Sequence, residues 1–332
     1  MMENYPVKQI WPNHADHISC YKEEFIRKLC ACNNVIAQPK YDGERMLIHI
    51  DNGHVYCTSR RLSKKTGKFM ENQDKLPILE KVFENFPYDY TVIDCECYAK
   101  DWSTIVGILH SLPDRAIELQ KQDTARFACF DCLWFDGQDC TDMPYITRLH
   151  RLEKVLEQVD YEPMHMVKMV DPKTGDIIPL DILVCGPVIE DFSEIDFAMN
   201  AAINKGFEGI VLKPLGFKYW DKAAVLKCKK FETVDCVVCG YQDGRGKYEG
   251  TVGALLIGYY DPEKNSVIQI SKVNCSTDEN REFWNNNREG LLNTVIEVKC
   301  QEITDKSLRH PVLLRIREDK DYRLCTRDTI FK

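Results

Sequence analysis

Apolar side chains recur at helical spacing at the start of the chain, with Ile18, Tyr21, Phe25, Ile26 and Leu29 predicting a helix over 14–32. The texture then becomes strand-like. Residues 40–50 and 54–59 predict strands, and 78–86 predicts a short helix. Residues 90–98 alternate, which sets Asp94 and Glu96 on one face of a strand. Residues 127–135 are mostly apolar and predict a central strand closed by Asp136-Gly137. Helices follow at 146–159 and at 192–205, the second stopped by Gly206, and strands at 210–213 and 224–229.

Past about Phe231 the elements shorten and the turns become glycine-rich. Strands are expected at 233–240, 252–260, 267–273, 294–301 and 312–317, with helical spacing at 279–292. Five strands and one helix predict a small Greek-key barrel of the oligonucleotide-binding (OB) type. The expected class is α+β, with antiparallel sheets and flanking helices over 1–230 and the barrel over 231–332. A chain of 332 residues suits two such domains.

Composition refines this picture. The chain is 44% hydrophobic and 29% charged, an ordinary globular balance. No apolar run approaches the roughly 20 residues that cross a membrane, and Met1-Met2-Glu3-Asn4 shows no signal-peptide pattern. With 16 cysteines and no such signal, reduced thiols and a cytoplasmic setting are expected. Cys129/Cys132 and Cys236/Cys239 have the spacing of a metal knuckle. Both pairs fall in predicted strands, where side chains three apart face opposite ways, so no structural zinc is expected. The net charge of −8 disfavours a nucleic-acid partner. Local clusters weigh against that: Arg60, Arg61, Lys64, Lys65 and Lys68; Lys227, Lys229 and Lys230; and Arg315, Arg317, Lys320, Arg323 and Arg327.

The candidate chemistry starts at Lys40. It opens Lys40-Tyr41-Asp42-Gly43-Glu44-Arg45, after a Gln38-Pro39 step that reads as a turn. A lysine at a strand end, with an acid and an arginine at fixed offsets, is suited to hold a phosphate and to attack one once its amine is unprotonated. Further signals follow in order: Ser59-Arg60, Asp94 with Glu96, Phe130-Asp131, Glu208-Gly209-Ile210-Val211-Leu212-Lys213, Lys227 with Lys229, Leu308-Arg309-His310-Pro311 and Arg317-Glu318-Asp319-Lys320. Lys227 and Lys229 are two apart on a strand and share one face.

This ordered set resembles the covalent nucleotidyltransferase superfamily, most closely the ATP-dependent DNA ligases, over about residues 35–320. The closing motifs look most like small ligases of the bacteriophage T7 type. The resemblance implies a nucleotidyltransferase (adenylation) domain followed by the OB barrel, acting as a monomer on nicked duplex DNA. It implies ATP as cosubstrate and Mg2+, with Mn2+ able to substitute. Lys40 would carry AMP covalently. Arg45 and Glu96 would hold the ribose and order the nick, Phe130 would stack on adenine, and Gln38 would accept a hydrogen bond from the adenine amino group. Glu208, with Glu96, would associate with the metal. Lys227 and Lys229 would reach the α-phosphate, and Lys213 a phosphate or DNA. Arg60, beside Arg61, would engage the 5′-phosphate of the nick. Arg317, Asp319 and Lys320 would orient the departing pyrophosphate, which requires the barrel to close over the ATP site and then swing away.

The chain departs from the family where Val225 replaces a common tryptophan, and where Lys218-Tyr219-Trp220-Asp221-Lys222 lacks a common arginine. It shows no large N-terminal DNA-binding domain, which points to a minimal enzyme gripping DNA with surface loops; 162–187 is a candidate for one. An RNA ligase, an mRNA-capping guanylyltransferase and an inactive nick-binding protein are the competing readings.

Overall fold

The computed structural model describes residues 16–17, 34–63, 67–180, 187–221, 225–229, 231–274 and 278–331; the side chains of residues 16, 17, 60 and 61 are not among the described groups. The chain divides into two compact units, Met1–Lys229 and Lys230–Lys332. Among the described residues, no helix is long and apolar enough to cross a membrane.

The first unit contains two principal sheets. The smaller runs in the order Asp16–His17, Leu226–Lys229, Gly209–Pro214, Val35–Lys40. Its strands alternate cleanly. Val35, Ala37, Ile210, Leu212, Leu226 and Cys228 point to one face and pack on Ile195, Ala198 and Ala202 of the helix Phe192–Asn204. That helix starts in a capping box, with the Asp191 side chain accepting from the Ser193 N–H and the Glu194 side chain accepting from the backbone N–H of Asp191. Each fully buried aliphatic side chain in such a layer contributes about 1.5–3 kcal/mol. The other face of this sheet carries the polar residues considered below.

The larger sheet runs Phe69–Glu71, His54–Leu62, Gly43–Asp51, Thr91–Tyr98, Arg126–Phe135, Gln138–Asp139, with Met164–Met166 adding in parallel to Arg126–Phe135. The helices Trp102–Leu109, Pro113–Gln120 and Tyr145–Leu156 bury Ile105, Ala116 and Leu149 against its apolar face. Asp136 (φ 51°) and Gly137 (φ 75°) close the two-residue hairpin between Phe135 and Gln138.

The second unit is built on a five-stranded antiparallel sheet. Its order is Ser266–Asn274, Val252–Asp261, Glu232–Asp243, Val295–Cys300, Val312–Ile316. Val234, Cys236, Ile257, Ile296 and Val298 form its core with Trp284 of the helix Asp278–Asn286.

Several expectations change. Gln38-Pro39 is no turn; both residues lie in the strand Val35–Lys40, opposite Val211 and Ile210. That strand is last in its sheet, where a proline without an N–H is tolerated. Of the helix expected over 14–32, Asp16–His17 instead pair in parallel with Leu226 and Lys227, and the rest lies outside the described residues. Of residues 162–187, the described part, 162–180 and 187, holds Met164–Met166 and a small hairpin of Met169–Val170 with Ile177–Ile178.

The cysteine geometry also differs. Asp94 pairs with Asp131 and Cys95 with Cys129, so Phe130 is an extra residue, a β-bulge. The bulge resets the alternation, and Cys129 and Cys132 enter the same core instead of opposite faces.

Candidate active site

The polar face of the smaller sheet is organised in rows. Lys40 pairs with Gly209, and Gly209 with Lys229, so the two lysines flank a glycine in register. One step along, Gln38, Val211 and Lys227 form the next row. Gly209 sits at φ 147°, and a Cβ there would lie 2.1 Å from the Cys228 carbonyl oxygen. Only glycine lets the strand Leu226–Lys229 approach its neighbour this closely here. Gly43 plays the same part in the larger sheet, where a Cβ would come within 2.3 Å of the Cys97 carbonyl oxygen.

Lys40 makes a salt bridge with Glu208, the residue just before Gly209. Burial pushes the Glu208 carboxyl up, but Lys40 and then Lys229 more than offset this and hold it below its ordinary value. Glu208 is therefore a carboxylate at neutral pH. Glu96 lies opposite Arg45 on the paired strands. Burial dominates there and carries the Glu96 carboxyl up to about 7, against the pull of Lys40 and Arg45.

The bulge in the larger sheet turns two successive side chains, Phe130 and Asp131, into one cleft. Phe130 lies beneath two cations, with Lys213 Nζ 4.3 Å and Arg45 Cζ 5.3 Å from its ring centre. Arg45 is fixed by a two-pronged bond to Asp94 and donates to the Tyr219 hydroxyl at 3.1 Å. Asp131 is held by Arg148, fully buried, through bonds of 2.7 and 3.0 Å. Behind Phe130, the Tyr145 hydroxyl donates to the Phe130 carbonyl at 2.6 Å and lies 3.2 Å from Gln38 Oε1. Lys213 Nζ donates to that hydroxyl at 3.0 Å. Burial lowers the Lys213 amine to about 7.

These groups line a cleft of about 570 Å³. Of the sequence candidates, Gln38, Lys40, Arg45, Glu96, Phe130, Lys213 and Lys227 line it directly. Glu208 reaches it through Lys40, and Lys229 stands in the lysine row. Lys213 is only 7% exposed and faces rings, a position unsuited to gripping a duplex. Arg60 and Arg61 lie in the strand His54–Leu62, and their side chains are outside the described groups. Arg317 and Lys320 belong to the second unit. There Arg317 bonds Asp319 and Asp235, and Lys320 bonds Asp235 at 2.8 Å.

Sequence reasoning missed Tyr145, Arg148 and Tyr219. The first two sit in the opening turn of the helix Tyr145–Leu156, and the available signal was their helical spacing with Leu149 and Leu152, which places them on the buried face. It also missed Trp102, Val106, Leu109 and His110, which line the same cleft with Glu44. His110 and Glu44 meet there at 2.7 Å.

Fold and site together define a mixed α/β domain of the nucleotidyltransferase kind. Residues 19–229 match the family model described as ATP dependent DNA ligase domain, and the chain belongs to that family. It is 29% identical over 299 residues to a protein named probable DNA ligase from Dictyoglomus thermophilum, covering 85% of this chain and 46% of that one. It is 26% identical over 311 residues to the DNA ligase of Methanopyrus kandleri, covering 84% and 51%. The chain thus spans about half the length of these curated relatives. Among solved structures, one titled Pmar-Lig_Pre. superposes with a TM-score of 0.68 at 20% identity, over 93% of this chain and 68% of that one. Another, titled as a structure–function analysis of Lig E DNA ligases with a minimal scaffold, gives 0.61 at 16% identity over 92% and 98%. These two share the fold.

Proposed function

We propose that the protein is an ATP-dependent DNA ligase that seals 3′-hydroxyl/5′-phosphate nicks in duplex DNA. The observation that carries this reading is the row Lys40–Gly209–Lys229, with Glu208 paired to Lys40, at the edge of a cleft walled by Phe130. In the first step Lys40 Nζ attacks the α-phosphorus of ATP. An N–P bond forms, the bond to the β-phosphate breaks, and pyrophosphate leaves. In the second, a 5′-phosphate oxygen of the nick takes the AMP and releases Lys40. In the third, the 3′-hydroxyl attacks the phosphorus of the nick's 5′-phosphate, the phosphodiester forms, the pyrophosphate bond to AMP breaks and AMP departs. Lys227 and Lys229 stabilise charge developing on the α-phosphate.

Glu96 and Glu208 both act electrostatically on Lys40, and their oxygens suit Mg2+ with phosphate oxygens and water as the remaining ligands. When bound, the ion would neutralise phosphate charge. Arg60 and Arg61 are assigned to the 5′-phosphate on the family pattern. The domains are assigned as adenylation over 1–230 and OB over 231–332. The strand pairing supports the second: a three-strand meander, a helix, then a fourth strand returning to pair with the first. Arg317 and Lys320, held by Asp319 and Asp235, are assigned to the departing pyrophosphate.

The test is a sealing assay on nicked DNA and on the matching RNA, each with ATP or GTP. Sealing of nicked DNA with ATP is expected. A covalent adduct with GTP alone would establish a capping enzyme, and sealing of RNA alone an RNA ligase.

A further inference from the structure

We propose that Tyr145 sets the purine preference of the cleft by holding the Gln38 carbonyl toward the base. The inference rests on the reading that this cleft takes a purine nucleotide. Tyr145 is fully buried, and its hydroxyl has one proton to give and two lone pairs to offer. The Phe130 carbonyl, 2.6 Å away, takes the proton. As the extra residue of the bulge, Phe130 is the position whose backbone is not matched one-to-one across the ladder. Lys213 Nζ, 3.0 Å away, occupies one lone pair.

One acceptor site on the phenol remains, and the Gln38 amide faces it at 3.2 Å. With Oε1 toward the phenol, two carbonyl oxygens compete for one proton. Gln38 Nε2 is then buried with no partner among the described residues. A half-turn of the amide ends that competition: Nε2 donates to the free lone pair, and Oε1 takes the place of the orphaned Nε2 in the wall of the cleft that Gln38 lines, where a ligand donor would complete it. An acceptor there pairs with the 6-amino group of adenine and opposes the 6-oxo group of guanine. Tyr145 is thus a positioning residue acting through Gln38.

The test compares covalent labelling of the full chain by ATP and GTP in four proteins: wild type, Tyr145→Phe, Gln38→Glu and the double variant. Tyr145→Phe is expected to lower the ATP-over-GTP ratio of kcat/KM about tenfold, the scale of one neutral hydrogen bond. A carboxylate presents oxygen in either orientation. On the Gln38→Glu background, losing the phenol should therefore leave the ratio within about twofold. An unchanged ratio in Tyr145→Phe, or an equal loss on both backgrounds, overturns the proposal, because the hydroxyl would then act elsewhere. Should Tyr145→Phe not fold, wild type alone decides: purine riboside triphosphate is expected to label better than inosine triphosphate. The reverse order would put Nε2 in the cleft and overturn the proposal. A wild type labelled by neither ATP nor GTP overturns the ligase reading and this inference with it.

Discussion

Gly209→Ala should slow adenylation of Lys40 about a hundredfold while leaving the chain folded. The added Cβ would lie 2.1 Å from the Cys228 carbonyl oxygen and 2.9 Å from Lys229 Cα, where real Cβ atoms essentially never come under 3.0 Å. The neighbouring strand must therefore move by about 1 Å, carrying Lys227 and Lys229 away from the Lys40–Glu208 pair. A misplacement of about 1 Å costs roughly 10²-fold in rate where reaction depends on alignment. The backbone at φ 147° adds about 1–3 kcal/mol of strain for a residue with a side chain. That lowers the thermal midpoint by a few degrees in a unit of this size. Single-turnover transfer of labelled AMP gives the rate, and a melting curve gives the stability. Gly216→Ala is the control, since nothing lies within 4 Å of its added Cβ. Equal rates and midpoints in the two variants would refute the argument that a bare backbone at 209 sets the lysine row.

Glu96→Gln tests the cause of the raised Glu96 carboxyl. Its folded value of about 7 exceeds the ordinary 4.5, so the native state binds the extra proton between those pH values. Wild-type stability should therefore fall as pH rises through that window, and the variant should lack this fall. Urea midpoints at pH 5 and pH 8 measure it; the same difference between the two proteins at both pH values would contradict it. Lys320→Ala should slow adenylation more than it slows sealing of a pre-adenylated nick, because Lys320 is assigned to pyrophosphate. Equal loss in both steps would exclude that role.

How much of this was legible depends on which physical rule governs each residue. Strand alternation placed Asp94 with Glu96 and Lys227 with Lys229 on shared faces, and the sheets keep those faces. Alternation failed at Phe130 because a bulge inserts one residue, and nothing local in Cys129-Phe130-Asp131-Cys132 announces it. Gln38-Pro39 misled because turn chemistry and edge-strand chemistry both tolerate proline; the pairing with Ile210, distant in sequence, decides between them. The helices Trp102–Leu109 and Pro113–Gln120 were not anticipated, although Asp101 caps the first and Pro113 opens the second. Arg148 and Tyr145 look like ordinary helix residues until tertiary packing buries them against Asp131 and Phe130.

The central claim is that Lys40 carries the nucleotide. The most direct measurement incubates the protein with ATP and Mg2+, digests it, and locates any AMP-modified peptide by mass spectrometry. The account predicts AMP on Lys40 and no adduct in Lys40→Ala. AMP on another residue, or an adduct that survives in Lys40→Ala, would contradict it.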